Sequence, residues 1–171
     1  NSNALYYYAA SFAAIGRNDA AAEALAHLVV LTPDNIQAWF DQGVVYAKLN
    51  RHKDAIEAFD NALVLKPDYF DASFNKARSL DFLGQTDDAI AMYNQALEID
   101  PSSTPALYYK GVALGRKGNY EEAVKEFDRA LEIDPSFAEA WCYKGKAQAT
   151  LGMYREAVRA FDKALGLENN S

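Results

Sequence analysis

Cysteine, histidine and long apolar runs are scarce in this chain of 171 residues. A single cysteine, Cys142, excludes an internal disulfide framework and fits a reducing, cytoplasmic setting. With no second thiol nearby, it is expected to be inert packing on a helix. His27 and His52, the two histidines, have no helix-spaced partner with which to hold a metal, and each is expected at the surface. The longest apolar stretch, Ala4 to Ile15, is interrupted by Ser11. It falls short of the roughly 20 residues that span a bilayer, and with no basic leader a signal peptide is not expected. Basic residues number 17 against 24 acidic ones, a net charge of −7, which argues against a phosphate-binding face and hence against nucleic acid. Summed by 34-residue block, only residues 138–171 carry net positive charge, by one unit. The glycines of GVALGRKG, from Gly111 to Gly118, match neither a phosphate loop nor a dinucleotide fingerprint. No isolated pair of carboxylates suggests acid and base catalysis, so neither an enzyme nor a cofactor site is expected.

What the chain does contain is repetition. Of five prolines, Pro33, Pro67, Pro101 and Pro135 stand 34 residues apart, and LEIDPS occurs at both Leu97–Ser102 and Leu131–Ser136. Five blocks, 2–35, 36–69, 70–103, 104–137 and 138–171, account for the whole length as a single array. Counting each block from its own first residue, positions 4, 7, 8 and 11 form one helical stripe and positions 20, 24, 27 and 28 a second. Small residues at 8, 20 and 27 let helices approach, while bulky ones at 4, 11 and 24 fill the space beside them. Position 15, held by Gly16, Asn50, Gly84, Gly118 and Gly152, suits a left-handed helix stop between the two. Asp34, Asp68, Ser102 and Ser136, just past the prolines, are expected to cap the next helix.

Trp39, Gly43, Tyr46, Ala55, Phe59, Ala62 and Pro67 together resemble the signature of the tetratricopeptide repeat (TPR) family, and the likeness extends over all five blocks. Departures are Ser73 at position 4 of the third block and Ala9 and Ala77 at position 8. The resemblance implies an all-α fold: a right-handed superhelical α-solenoid of antiparallel helix pairs, with first helices lining a concave groove. It also implies a non-catalytic scaffold that binds a protein or peptide segment in that groove. The residues implied for contact are Tyr6, Tyr7, Phe40, Asp71, Phe74, Asn75, Arg78, Asp81, Tyr108, Tyr109 and Tyr143. Aromatic rings at positions 5 and 6 supply most of them, and such rings dominate interface hot spots. Arg78 stands three residues before Asp81 and is expected to pair with it.

Lys76, Lys110 and Lys144 recur at position 7, where their stems are expected to cover apolar surface while the ammonium groups reach water. The register of lysines and asparagines that family members use to clamp a chaperone's terminal carboxylate is not matched: Tyr6, Phe40 and Phe74 stand in its way. Ser2 to Ala4 resembles the remnant of a removed expression tag, and the last block lacks a following polar helix, which is expected to leave Val158, Phe161 and Leu165 partly bare. The alternative reading is therefore a spacer, or a self-associating segment of a longer protein, working through its uncapped ends.

Overall fold

The computed structural model describes residues 1–168, and every regular element among them is an α-helix. The helices are α1 (Ser2–Ala14), α2 (Asn18–Leu31), α3 (Ile36–Lys48), α4 (His52–Leu65), α5 (Phe70–Phe82), α6 (Thr86–Ile99), α7 (Thr104–Lys117), α8 (Tyr120–Ile133), α9 (Ala138–Thr150) and α10 (Tyr154–Glu168). Odd-numbered helices are the first and even-numbered ones the second of each 34-residue block. The turn within each block closes on a left-handed residue: Asn50 has φ 57° and Gly118 has φ 90°. Nothing lies within 4 Å of a Cβ built on Gly118, so the backbone alone selects glycine there.

Caps fall one residue later than the sequence suggests. Asn35 Oδ1 accepts from the Ala38 amide and Ser103 Oγ from the Ala106 amide. Ser102 and Ser136 instead donate backward, through both amide and hydroxyl, to Asp100 and Asp134. Those aspartates tie the loop that the proline opens. Where position 4 is tryptophan, the indole fastens the same loop: Trp39 donates to the Pro33 carbonyl and Trp141 to the Pro135 carbonyl, each at 2.9 Å.

The chain forms two compact units, Asn1–Gln85 and a second from Thr86 onward. In the first, α1 to α5 pack each on the next, and α3 also touches α5. In the second, α6 to α10 do the same, with α7 touching α9. Both cores are built by pairing a small residue with a ring. Gly43 lies under Phe59, and Gly111 under Phe127; a Cβ at either glycine would sit 2.5 or 2.7 Å from the ring. Phe59 and Phe127 are almost fully buried, each contributing about 1.5–3 kcal/mol by leaving water. In the first block the same joint is made with Ala9 and Leu25, both buried in one cluster.

Candidate functional site

Adjacent first helices do not close completely, and the gaps recur in one register. Between α1 and α3 a cleft of 230 Å³ is bordered by Tyr6, Ala10, Asp41, Val44 and Lys48. Between α3 and α5 lies one of 340 Å³, with Val44, Lys48, His52, Asn75, Arg78 and Phe82 around it. In the second unit a cleft of 170 Å³ separates α7 from α9, bordered by Val112, Arg116, Tyr143, Lys146 and Thr150. Each uses positions 9 and 12 of one first helix and 6, 9, 10 and 13 of the next, and the α3–α5 and α7–α9 clefts add position 13 of the first. The helical period sets this, since those positions share the flank that faces a neighbouring first helix. Each cleft is apolar at its base and holds at least one cation, from Lys48, Arg78, Arg116 or Lys146.

The expected contact residues sort into distinct settings. At position 5 the rings turn toward the core. Phe40 packs on Phe59 and Tyr69, with centroids 5.9 and 5.1 Å away. Tyr108 sits among Phe137, Tyr109, Tyr143 and Phe127. Burial, reinforced by the neighbouring Tyr143 and Tyr109, pushes the Tyr108 hydroxyl pKa well above its ordinary value. Phe74 is half-buried, its ring parallel to Phe70 at 5.8 Å. Tyr6 is fixed by a hydrogen bond to Asp41 (3.0 Å), whose other oxygen accepts from Gln37; Gln37 in turn accepts from Tyr69. Burial and then the Asp41 charge raise the Tyr6 pKa, so this hydroxyl keeps its proton and goes on donating.

At position 6 the rings are more open. Tyr7 is exposed at 70% and Tyr143 at 36%, the latter bordering its cleft with the Lys146 ammonium 4.4 Å from its centroid. Tyr109 is half-buried against Tyr93. Asn75 and Arg78 meet in the α3–α5 cleft, whereas Asp71, Phe74 and Asp81 are not among its lining residues. The Asn75 amide donates to the Asp71 carbonyl one turn back, at 2.7 Å.

Several lining residues are absent from the sequence-based set: Asp41, Val44, Lys48, His52 and Lys146. Positions 9 and 13 were the available signal, because the cations there recur across blocks. His52 is not a surface histidine. Its ring is half-buried, stacks on Phe82 at 4.0 Å, and neither nitrogen has a hydrogen-bond partner. Burial, helped by the Arg78 charge, lowers its pKa. The lysines of position 7 also end differently than expected. Lys76 pairs with Asp60, Lys110 with Glu126 and Lys144 with Asp128, so their tips lie on carboxylates of second helices. Among the described residues no group of histidine, cysteine and carboxylates could hold a metal, and no helix is long and apolar enough to cross a membrane.

Against known families, residues 9–70, 74–138 and 108–171 each match the tetratricopeptide repeat. The chain belongs to the tetratricopeptide repeat family. Among solved structures, the TPR fold is shared with MamA (TM-score 0.92, 23% identity, 95% of each chain covered). It is shared with MamA 41-end from Desulfovibrio magneticus RS-1 (TM-score 0.95, 20% identity, 99% of this chain and 96% of that one). A third is YrrB, described as a TPR protein with an unusual peptide-binding site (TM-score 0.86, 22% identity, 99% of this chain and 87% of that one). Comparison with curated proteins finds no match. These likenesses establish an all-α repeat solenoid.

Proposed function

We propose that this TPR chain binds a partner polypeptide through the clefts between its first helices, and that the bound segment carries carboxylates beside apolar side chains. The observation that carries the reading is the repeated placement of a cation over an apolar cleft, Lys48 and Arg78 in the first unit, Arg116 and Lys146 in the second. A carboxylate gains a charge-assisted hydrogen bond there, while the neighbouring residue fills the apolar base. YrrB, named for a peptide-binding site, lends support by analogy of fold. The net charge of −7 keeps polyanions away, so a nucleic-acid partner is not proposed, and the contacts found call for no catalytic step.

Selection of a random peptide library against the wild-type chain tests this. Enriched segments are expected to combine Asp or Glu with apolar neighbours. Lys48→Glu together with Lys146→Glu should weaken their capture at least tenfold with far-UV circular dichroism unchanged. Tyr108 is a poor choice of probe, because its ring is built into the second core. Peptides indifferent to both charge reversals would remove the clefts from consideration.

A further inference from the structure

Two structural needs explain glycine in the first helices and the turns that follow them, and Gly115 meets neither. Gly118 ends α7 with φ 90°, a conformation that other residues adopt only with strain. Gly111 lies under the Phe127 ring, 2.7 Å from where its Cβ would stand. Gly115, one helical turn after Gly111 and still within α7, has no left-handed φ, and nothing lies within 4 Å of a Cβ built on it. At the same position of their blocks, α1, α3 and α9 carry Ala13, Ala47 and Ala149. Glycine is the poorest helix former after proline, so α7 holds a residue that weakens it with no return in backbone freedom or in packing.

What the missing side chain does is open the α7–α9 cleft. Gly115 borders the 170 Å³ space with Val112, Tyr120, Phe127 and Tyr143, so bare backbone meets walls made largely of rings. The α1–α3 and α3–α5 clefts have the methyl groups of Ala13 and Ala47 in its place. An apolar cavity of about 150 Å³ takes a benzene ring. Because Gly111 and Gly115 lie four residues apart on one face of α7, the seat at Gly115 repeats, a turn later, the one on which Phe127 rests. Two exposed cations, Arg116 and Lys146, also border the cleft, and among the described residues no carboxylate does.

We propose, resting on the carboxylate reading of these clefts given above, that the α7–α9 cleft is a specificity pocket for one phenylalanine of the bound segment. Its ring lies flat on Gly115, and a neighbouring Asp or Glu is held by Arg116 or Lys146. Gly115 then sets the choice of side chain: a methyl group there narrows the seat, and a branched side chain closes it.

The test uses the full chain. Gly115→Ala should shift the urea midpoint upward, because the methyl group meets nothing and the helix is strengthened. A midpoint that stays or falls means that the fold itself holds glycine there, which overturns the proposal. A random peptide library is selected in parallel on the wild type and on Gly115→Val. Segments enriched on the wild type should carry phenylalanine beside Asp or Glu; those enriched on Gly115→Val should keep the acidic residue and lose the preference for phenylalanine. By fluorescence anisotropy, a wild-type-selected peptide should bind Gly115→Val roughly tenfold more weakly or worse, the scale of leaving a phenyl ring in water. Gly115→Ala should fall between the two, and far-UV circular dichroism should be unchanged throughout. Replacing the peptide's phenylalanine with alanine should abolish the difference between the proteins. Equal preference for phenylalanine in both pools, or none in either while acidic residues persist, overturns the pocket and leaves the carboxylate reading standing. Pools without acidic enrichment overturn both.

Discussion

Gly43 and Phe59 show how a single pair of side chains sets the spacing of two helices. An alanine at 43 would place its Cβ 2.5 Å from the Phe59 ring, so Gly43→Ala should destabilise the first unit by about 1–3 kcal/mol, measured by urea denaturation. Combining it with Phe59→Leu should recover much of that loss, because Ala9 and Leu25 already form this joint in the first block. Additive costs in the double-mutant cycle would show that the two sites do not share one space. The rule was legible in the sequence in part: glycine at position 8 accompanies phenylalanine at position 24 at Gly43 and Phe59, Gly111 and Phe127, and Gly145 and Phe161. Alanine at that position, read alone, is a departure; read with Leu25 it is the matching half of a different solution. Which ring of a pair like Tyr108 and Tyr143 faces a core and which a cleft was not legible, because positions 5 and 6 differ by one helical step and only the neighbours Phe127 and Phe137 decide it.

At the scale of elements, the period of 34, the left-handed stops and the two stripes per block sufficed to foresee ten helices. Their exact starts did not follow, since Asp100 and Asp134 compete with the cap by binding the serines of the loop. His52 illustrates the same gap on the helix it begins. At the N-terminus of α4 it meets Phe82 of α5, a contact that its own surrounding residues do not announce. With its pKa lowered in the folded chain, the unfolded chain binds the proton more readily. Its contribution to stability is therefore complete above about pH 6.5 and is lost as pH falls through that value and then through the lower folded-state pKa. His52→Phe keeps the stacking and removes the titration. Its urea midpoint should drop less than that of the wild type between pH 7 and pH 5; equal drops would place the acid sensitivity elsewhere.

For the whole molecule, the division at Gln85 and Thr86 falls between the two helices of the third block, where the 34-residue period shows no seam. Sequence repetition reports what each block contains and is silent on how strongly successive blocks hold together, which is a sum over particular contacts. Phe127→Ala removes a ring that is 2% exposed and should cost about 3–5 kcal/mol. Hydrogen exchange should then show amides of α7, α8 and α9 losing protection while those of α1 to α4 keep theirs. Uniform loss over all helices would mean that the chain melts as one body.

Asp128 has one more consequence, and it concerns how such a chain lengthens. A tandem copy of residues 104–137 would bring the replica of Lys110 into register with Asp128 and leave Lys144 to meet the replica of Asp128, with Ala106 and Ala113, or Ala140 and Ala147, already flanking each lysine. Both new seams would therefore carry the same lysine and aspartate, and growth by copying would require no compensating substitution there.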